Sequence, residues 1–166
     1  MVLGMSLSTF TLLHVIISLA GIGSGFVVLF GLLNGKRLDG WTAIFLTTTA
    51  LTSLTGFLFP FEGFKPSYVL AILSLLVLAV AIFARYMRRM AGAWRGTYVV
   101  TAAIALYFNC FVAVVQAFLK IPALHAMAPN GNEPPFLIAQ SLVLAVFIWL
   151  TYRAVKRFHL APMQTA

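Results

Sequence analysis

Six side chains in this sequence could bind a ligand or hold a proton amid hydrocarbon: His14, Thr55, Asn109, Gln116, His125 and Gln140. An imidazole can donate, accept or ligate a metal near neutral pH. A carboxamide donates and accepts at once. Two histidines inside a helical bundle could hold a haem. Only His14 sits in an apolar run, however; His125 falls in a polar interval and His159 near the C-terminus. A copper(I) site is a second option, since His125 and Met127, with Met5, offer imidazole and thioether ligands. Scattered methionines serve more often as apolar filler, so the metal candidates His14, His125 and Met127 carry less weight than an organic ligand, and no cofactor is expected.

Other chemistries lack their parts. The chain contains no HExxH, CxxC, Walker loop or GxSxG, whose spacings metal hydrolysis, redox exchange, phosphate binding and acyl transfer require. GIGSG, Gly21 to Gly25, lies mid-run without a strand before it or a Lys-Ser/Thr after it, which excludes a nucleotide loop. The acids are Asp39, Glu62 and Glu133, all outside the apolar runs. Proton-coupled transport therefore has no intramembrane carboxylate to use. A non-enzymatic role is expected.

The elements that position these residues follow from composition. The 166 residues are 62% hydrophobic and 8% charged, with mean hydropathy +1.03; a soluble domain is roughly a quarter charged. Such a chain requires a lipid bilayer, and its length bounds it to a single domain. The lone Cys110 can make no intrachain disulfide. The N-terminus has no basic n-region and its first apolar run is too long for an h-region, so no cleaved signal peptide is expected.

A crossing helix needs about 20 apolar residues. Five runs qualify in this reading, about 9–33, 41–59, 67–84, 97–119 and 135–152, giving an all-α membrane bundle of five transmembrane helices. Lys36, Arg37, Arg85, Arg88, Arg89, Arg95, Arg153, Lys156 and Arg157 then share one side, and Lys65 and Lys120 the other. Basic residues favour the cytoplasmic side, which places the N-terminus outside and the C-terminus in the cytoplasm. The net charge of +8 thereby reports topology, not a nucleic-acid partner. Trp41, Trp94 and Tyr98 mark the inner boundary, and Phe59, Phe61, Phe64 and Tyr68 the outer one. RLDGWTAIFLTTTAL and RMAGAWRGTYVVTAA share a basic turn, a Trp and Thr residues, a similarity that two cytoplasmic turns generate without duplication.

Helical spacing sorts the faces. His14, Ser18, Gly21 and Gly25 share one stripe, with Gly21 and Gly25 forming a GxxxG packing face. Thr48, Thr52 and Thr55 form a second stripe. Tyr98, Ala102, Ala105, Asn109, Ala113, Gln116 and Lys120 form a third, expected to face protein or enclosed water. The third run has only Ser74 as a polar interruption and is expected to face lipid. With the runs alternating in direction, His14, Thr55, Gln116 and Gln140 reach one outer level. The connection KIPALHAMAPNGNEPP lies over them, with a turn at Pro129–Asn132.

Two functions fit this arrangement. One is an outer pocket, with Asn109 and His125 also in its lining, that binds or transfers a small amphiphile such as a lipid or quinone. The other is an accessory subunit, or one copy of a homo-oligomer, docking through Ser18, Gly21 and Gly25. A third possibility is that His14 simply ties helices together. NCFVAVVQAFLKIPALHAMAPNGNEPPFLIAQ, Asn109 to Gln140, resembles a stretch of small uncharacterised bacterial polytopic membrane proteins. That resemblance implies a bacterial cytoplasmic (inner) membrane and carries no activity and no site residues.

Overall fold

The computed structural model describes residues 2–60 and 66–159. Phe61, Glu62, Phe64 and Lys65, which the sequence places at the outer boundary, lie outside the described residues. The chain forms α1 (Leu7–Leu33), α2 (Asp39–Gly56), α3 (Pro66–Ile82) running into a π-helical turn (Phe83–Met87), α4 (Trp94–Lys120), α5 (Pro122–Met127) and α6 (Pro134–Arg157).

Local chemistry sets these boundaries. The Ser6 side chain caps α1 by accepting from the Thr9 amide at 3.1 Å, satisfying one of the orphan N–H groups of a first turn. Gly35, with φ +70°, stops α1; its amide donates to the Leu32 carbonyl and that of Lys36 to Gly31, and this left-handed position suits glycine. Asp39 opens α2, where its charge complements the helix dipole. Pro122 and the Pro134–Pro135 pair start α5 and α6, where a missing N–H costs nothing.

Four helices among the described residues are long and apolar enough to cross a membrane: Leu7–Leu33, Ser67–Met87, Trp94–Lys120 and Pro134–Arg157. The expectation of five is therefore corrected to four. Helix α2 has 18 residues, and Asp39, Thr42, Thr47, Thr48, Thr49, Thr52, Ser53 and Thr55 dilute its apolar character below that of its neighbours. It still lies antiparallel along α1. At one end Leu38 packs over Gly31; at the other His14 meets Thr55. Most of its threonine hydroxyls donate to the carbonyl four residues back, as Thr42 does to Leu38 and Thr52 to Thr48, so they draw little on other helices.

Helix α4 is the hub, touching α1, α3, α5 and α6. Ala102, Ala103 and Ala105 are buried on it, small enough to let neighbouring backbones close in. The outward surface is hydrocarbon: Leu12, Ile16 and Leu19 of α1, Leu76 of α3, and Ile138, Leu142 and Ile148 of α6 are exposed. An apolar band of that extent marks a membrane surface, and the protein is a multi-pass membrane protein. Helix α3 faces outward as expected, although Ser74 points inward and is buried; α6 buries an even smaller share of its residues.

The tightest approach is at Gly25. A Cβ there would meet Leu106 at 2.5 Å and Phe45 at 2.9 Å, whereas one at Gly23 meets nothing within 4 Å. Gly25→Ala should therefore cost about 1–3 kcal/mol through overpacking. Gly23→Ala should be neutral or stabilising by up to about 1 kcal/mol, since alanine loses less backbone entropy in a helix. Reversible unfolding of both variants in detergent checks the contrast, and equal effects would refute the packing argument.

Candidate functional site

At the end of the bundle where α1 begins and α2 ends, His14 Nδ1 lies 2.7 Å from Thr55 Oγ1. The threonine hydroxyl donates its one proton back to the Leu51 carbonyl at 2.7 Å, so its oxygen accepts and His14 carries its proton on Nδ1. Nε2 is left with its lone pair. Phe59 meets the imidazole edge-on at 5.1 Å and Phe10 braces Phe59 at 5.0 Å, fixing the ring. The half-buried His14 lies within electrostatic range of Lys120.

The other expected residues form separate ties. Asn109 donates to Thr49 Oγ1 at 3.0 Å, joining α4 to α2 beside Gly21, whose missing Cβ leaves room for both side chains. Gln140 is buried; its amide donates to the Phe111 carbonyl at 3.1 Å, and its Oε1 has no partner. Ser18 donates to the His14 carbonyl within its own helix. Gln116 and His125 are exposed. The long stripe on α4 thus divides: Tyr98, Ala102 and Ala105 are buried, while Ala113, Gln116 and Lys120 are not, because α5 leaves α4 at Pro122 without folding back over them. Among the described residues, no group of three or more His, Cys, Asp or Glu side chains comes together. Met127 is exposed.

The connection between α5 and α6 is pinned by one carboxylate. Glu133 accepts from the Asn130 amide at 3.0 Å, the Asn130 side chain at 2.8 Å and the Asn132 amide at 3.1 Å, closing the expected turn around Gly131, φ +71°.

The opposite end of the bundle holds a site that sequence reading assigned only to topology. Arg85 lies in the π turn and is 1% exposed. Its Nη2 donates to Asp39 Oδ1, which also accepts from Arg37 Nε at 2.9 Å. Tyr98 was expected both as a boundary anchor and on the α4 stripe that faces protein, and the structure favours the second. It is fully buried, its ring 5.0 Å from the Arg85 guanidinium, a cation–π distance. Met90 Sδ lies 4.0 Å from Nη1. Arg85 Nε and Tyr98 Oη are both buried without a well-formed hydrogen bond among the described residues, although Thr42 and Arg85 both lie close to the Tyr98 hydroxyl. A signal for this was present. Ser74, Leu78, Ala81 and Arg85 recur at helical spacing, and all four are buried, so Arg85 continues an inward stripe.

No family model matches the chain, and no curated protein or solved structure is similar to it. That agrees with the resemblance of Asn109–Gln140 to a family without an assigned activity.

Glu133 supplies a pH test. Desolvation pushes its pKa up, but the hydrogen bonds from Asn130 and Asn132 outweigh it and hold the carboxyl below its usual value. A depressed folded pKa stabilises above the unfolded value, roughly 4.3, and that contribution is lost as pH falls through the folded pKa. The turn at Asn130–Glu133 should stay closed at neutral pH and open in acid, and Glu133→Gln should open it at every pH. Amide chemical shifts of Asn130 and Asn132 followed by NMR report this; shifts flat through the acid titration would exclude it.

Proposed function

We propose that this is a non-enzymatic membrane protein of a bacterial cytoplasmic membrane, whose outer end holds the polar head of a small amphiphile, lipid or quinone. The observation that carries this reading is the fixed imidazole of His14, whose Nε2 makes no hydrogen bond among the described residues and which lies within electrostatic range of Lys120. A ring braced by Thr55 and Phe59 loses little entropy on binding, which favours recognition. Nε2 accepts from a hydroxyl of the ligand. Lys120, with the exposed amide of Gln116 and the ring of His125, supplies donors for a carbonyl or phosphate. Asn109, Thr55 and Gln140 hold the helices that carry these groups.

The accessory-subunit reading has less support. Gly21 and Gly25 are in use within the chain, packed by Thr48, Thr49, Phe45 and Leu106, so the face it requires is occupied internally.

Capture of a photoactivatable quinone or phospholipid by the chain in nanodiscs tests the proposal. His14→Ala and Gln116→Ala should each lower capture about fivefold, the scale of one hydrogen bond. Crosslinks spread along the hydrocarbon face, insensitive to both substitutions, would sink it.

The orientation belongs to the same proposal. Arg95 donates to the Phe158 carbonyl, and Arg85 reaches Asp39, so the basic segments gather at one end of the bundle. Basic residues favour the cytoplasm. In a Cys110→Ala background, Asn130→Cys should react with an impermeant maleimide on intact cells, and Arg89→Cys only after permeabilisation. The reverse pattern would invert the assignment.

A further inference from the structure

A groove of about 320 Å3 runs between α2 and the inner end of α3. Ala43, Thr47, Ala50 and Leu51 form one wall, and Ile82 and Tyr86 the other. It exists because alanine and threonine stand where larger side chains would fill the space. Leu51, Ile82 and Tyr86 are also exposed, so the groove opens sideways onto the hydrocarbon layer. At roughly 30 Å3 for a group the size of water or methylene, it has room for about ten such groups in line.

Charged groups adjoin the groove without lining it: Asp39 lies one helical turn before Ala43, and Arg85 is next to Tyr86, over whose ring its guanidinium sits at 5.7 Å. The Nε and Nη2 edge of a guanidinium is a fork that can grip two oxygens of one anion. Here Nη2 is engaged by Asp39 Oδ1 and the buried Nε has no partner, so the fork is half used. The Asp39 side chain is 68% exposed and also held by Arg37, which can retain it if Arg85 takes another anion. Along the sequence, Lys36, Arg37, Arg88 and Arg89 flank this pair, and Arg37 bonds Asp39 directly. The balance calls for a further negative charge.

We infer that this groove binds one anionic phospholipid, with an acyl chain along α2 and α3 and the phosphate bridging Nε and Nη2 of Arg85 in exchange for Asp39. The apolar walls select a lipid over a free anion. The buried guanidinium selects an anionic head over a neutral one, since basic pockets between membrane helices favour acidic lipids. At about 320 Å3 the groove holds less than one turn of a second protein helix, whose diameter with side chains is about 10–12 Å. This site stands apart from the outer end and does not depend on the reading given there.

Native mass spectrometry of the full chain, released from nanodiscs of equal phosphatidylglycerol and phosphatidylcholine, tests it. One phosphatidylglycerol should be retained per chain in preference to phosphatidylcholine by about fivefold, the scale of one basic residue's attraction for an acidic lipid. Ala43→Trp changes an exposed position, fills the groove and leaves the charges alone; it should abolish the preference. Asp39→Asn removes the competing carboxylate charge and should raise retention, an effect opposite to that of a merely structural ion pair. Arg85→Met combined with Asp39→Asn should remove it without stranding a buried charge. Equal retention of both lipids, or a preference that survives Ala43→Trp, would overturn the inference. So would displacement of the lipid by millimolar inorganic phosphate in the wild type together with indifference to Ala43→Trp, since that pattern describes a free-anion site.

Discussion

Close approach of α1 to α2 and α4 at Gly25 is the contact on which this bundle rests. Inside a bilayer, lipid chains are as apolar as leucine, so helices gain no hydrophobic advantage by associating and depend on tight packing. Phe45 and Leu106 fill the place a side chain would take at Gly25. One glycine thereby brings three helices to one point. About one turn closer to the middle of α1, the same closeness at Gly21 lets Asn109 reach Thr49. The polar tie is thus a consequence of the packing. It adds direction to an association that dispersion forces already hold.

Much of this architecture is legible in the order of residues. The apolar runs beginning near residues 9, 97 and 135 correspond to α1, α4 and α6, and the GxxxG face lies where small residues should, at a helix crossing. Helix α2 shows why hydropathy alone misleads in counting: a moderately apolar run reads as a span until its threonines are weighed against the demands of a hydrocarbon core. Helix α5 was hidden because the prolines of the outer connection suggested only a stiff loop, whereas Pro122 at a first helical position starts a short helix instead. The partners of His14 and Gln140 were not legible. A stripe gives the face of a helix, but which neighbour meets it depends on rotations that no single run encodes. Arg85 was missed for a different reason. A charge near the end of an apolar run was read as the beginning of a loop, although the helical spacing of Ser74, Leu78 and Ala81 continues through it.

The two ends of the molecule treat charge in opposite ways. At one end, Glu133 is fully served by backbone and side-chain donors of its own turn, and its work is to shape a connection. At the other, Arg85 has been withdrawn from water with one exposed carboxylate for compensation. A buried cation that keeps an unused donor is costly unless something repays it; the aromatic faces of Tyr98 and Tyr86 do so in part. The difference separates a finished local structure from one with capacity left over.

The π turn at Phe83–Met87 bears on how this chain should be compared with others. There the Arg88 amide donates to the Phe83 carbonyl five residues back, so one turn holds an additional residue relative to a regular helix. Everything beyond it is rotated by the arc of that residue. Against a relative whose third helix is regular throughout, the correct correspondence therefore requires a gap of one position within these five residues. An ungapped alignment would keep Arg85 in register with the inward stripe before it but set the residues after the turn, from Arg88 on, one position off the faces they occupy.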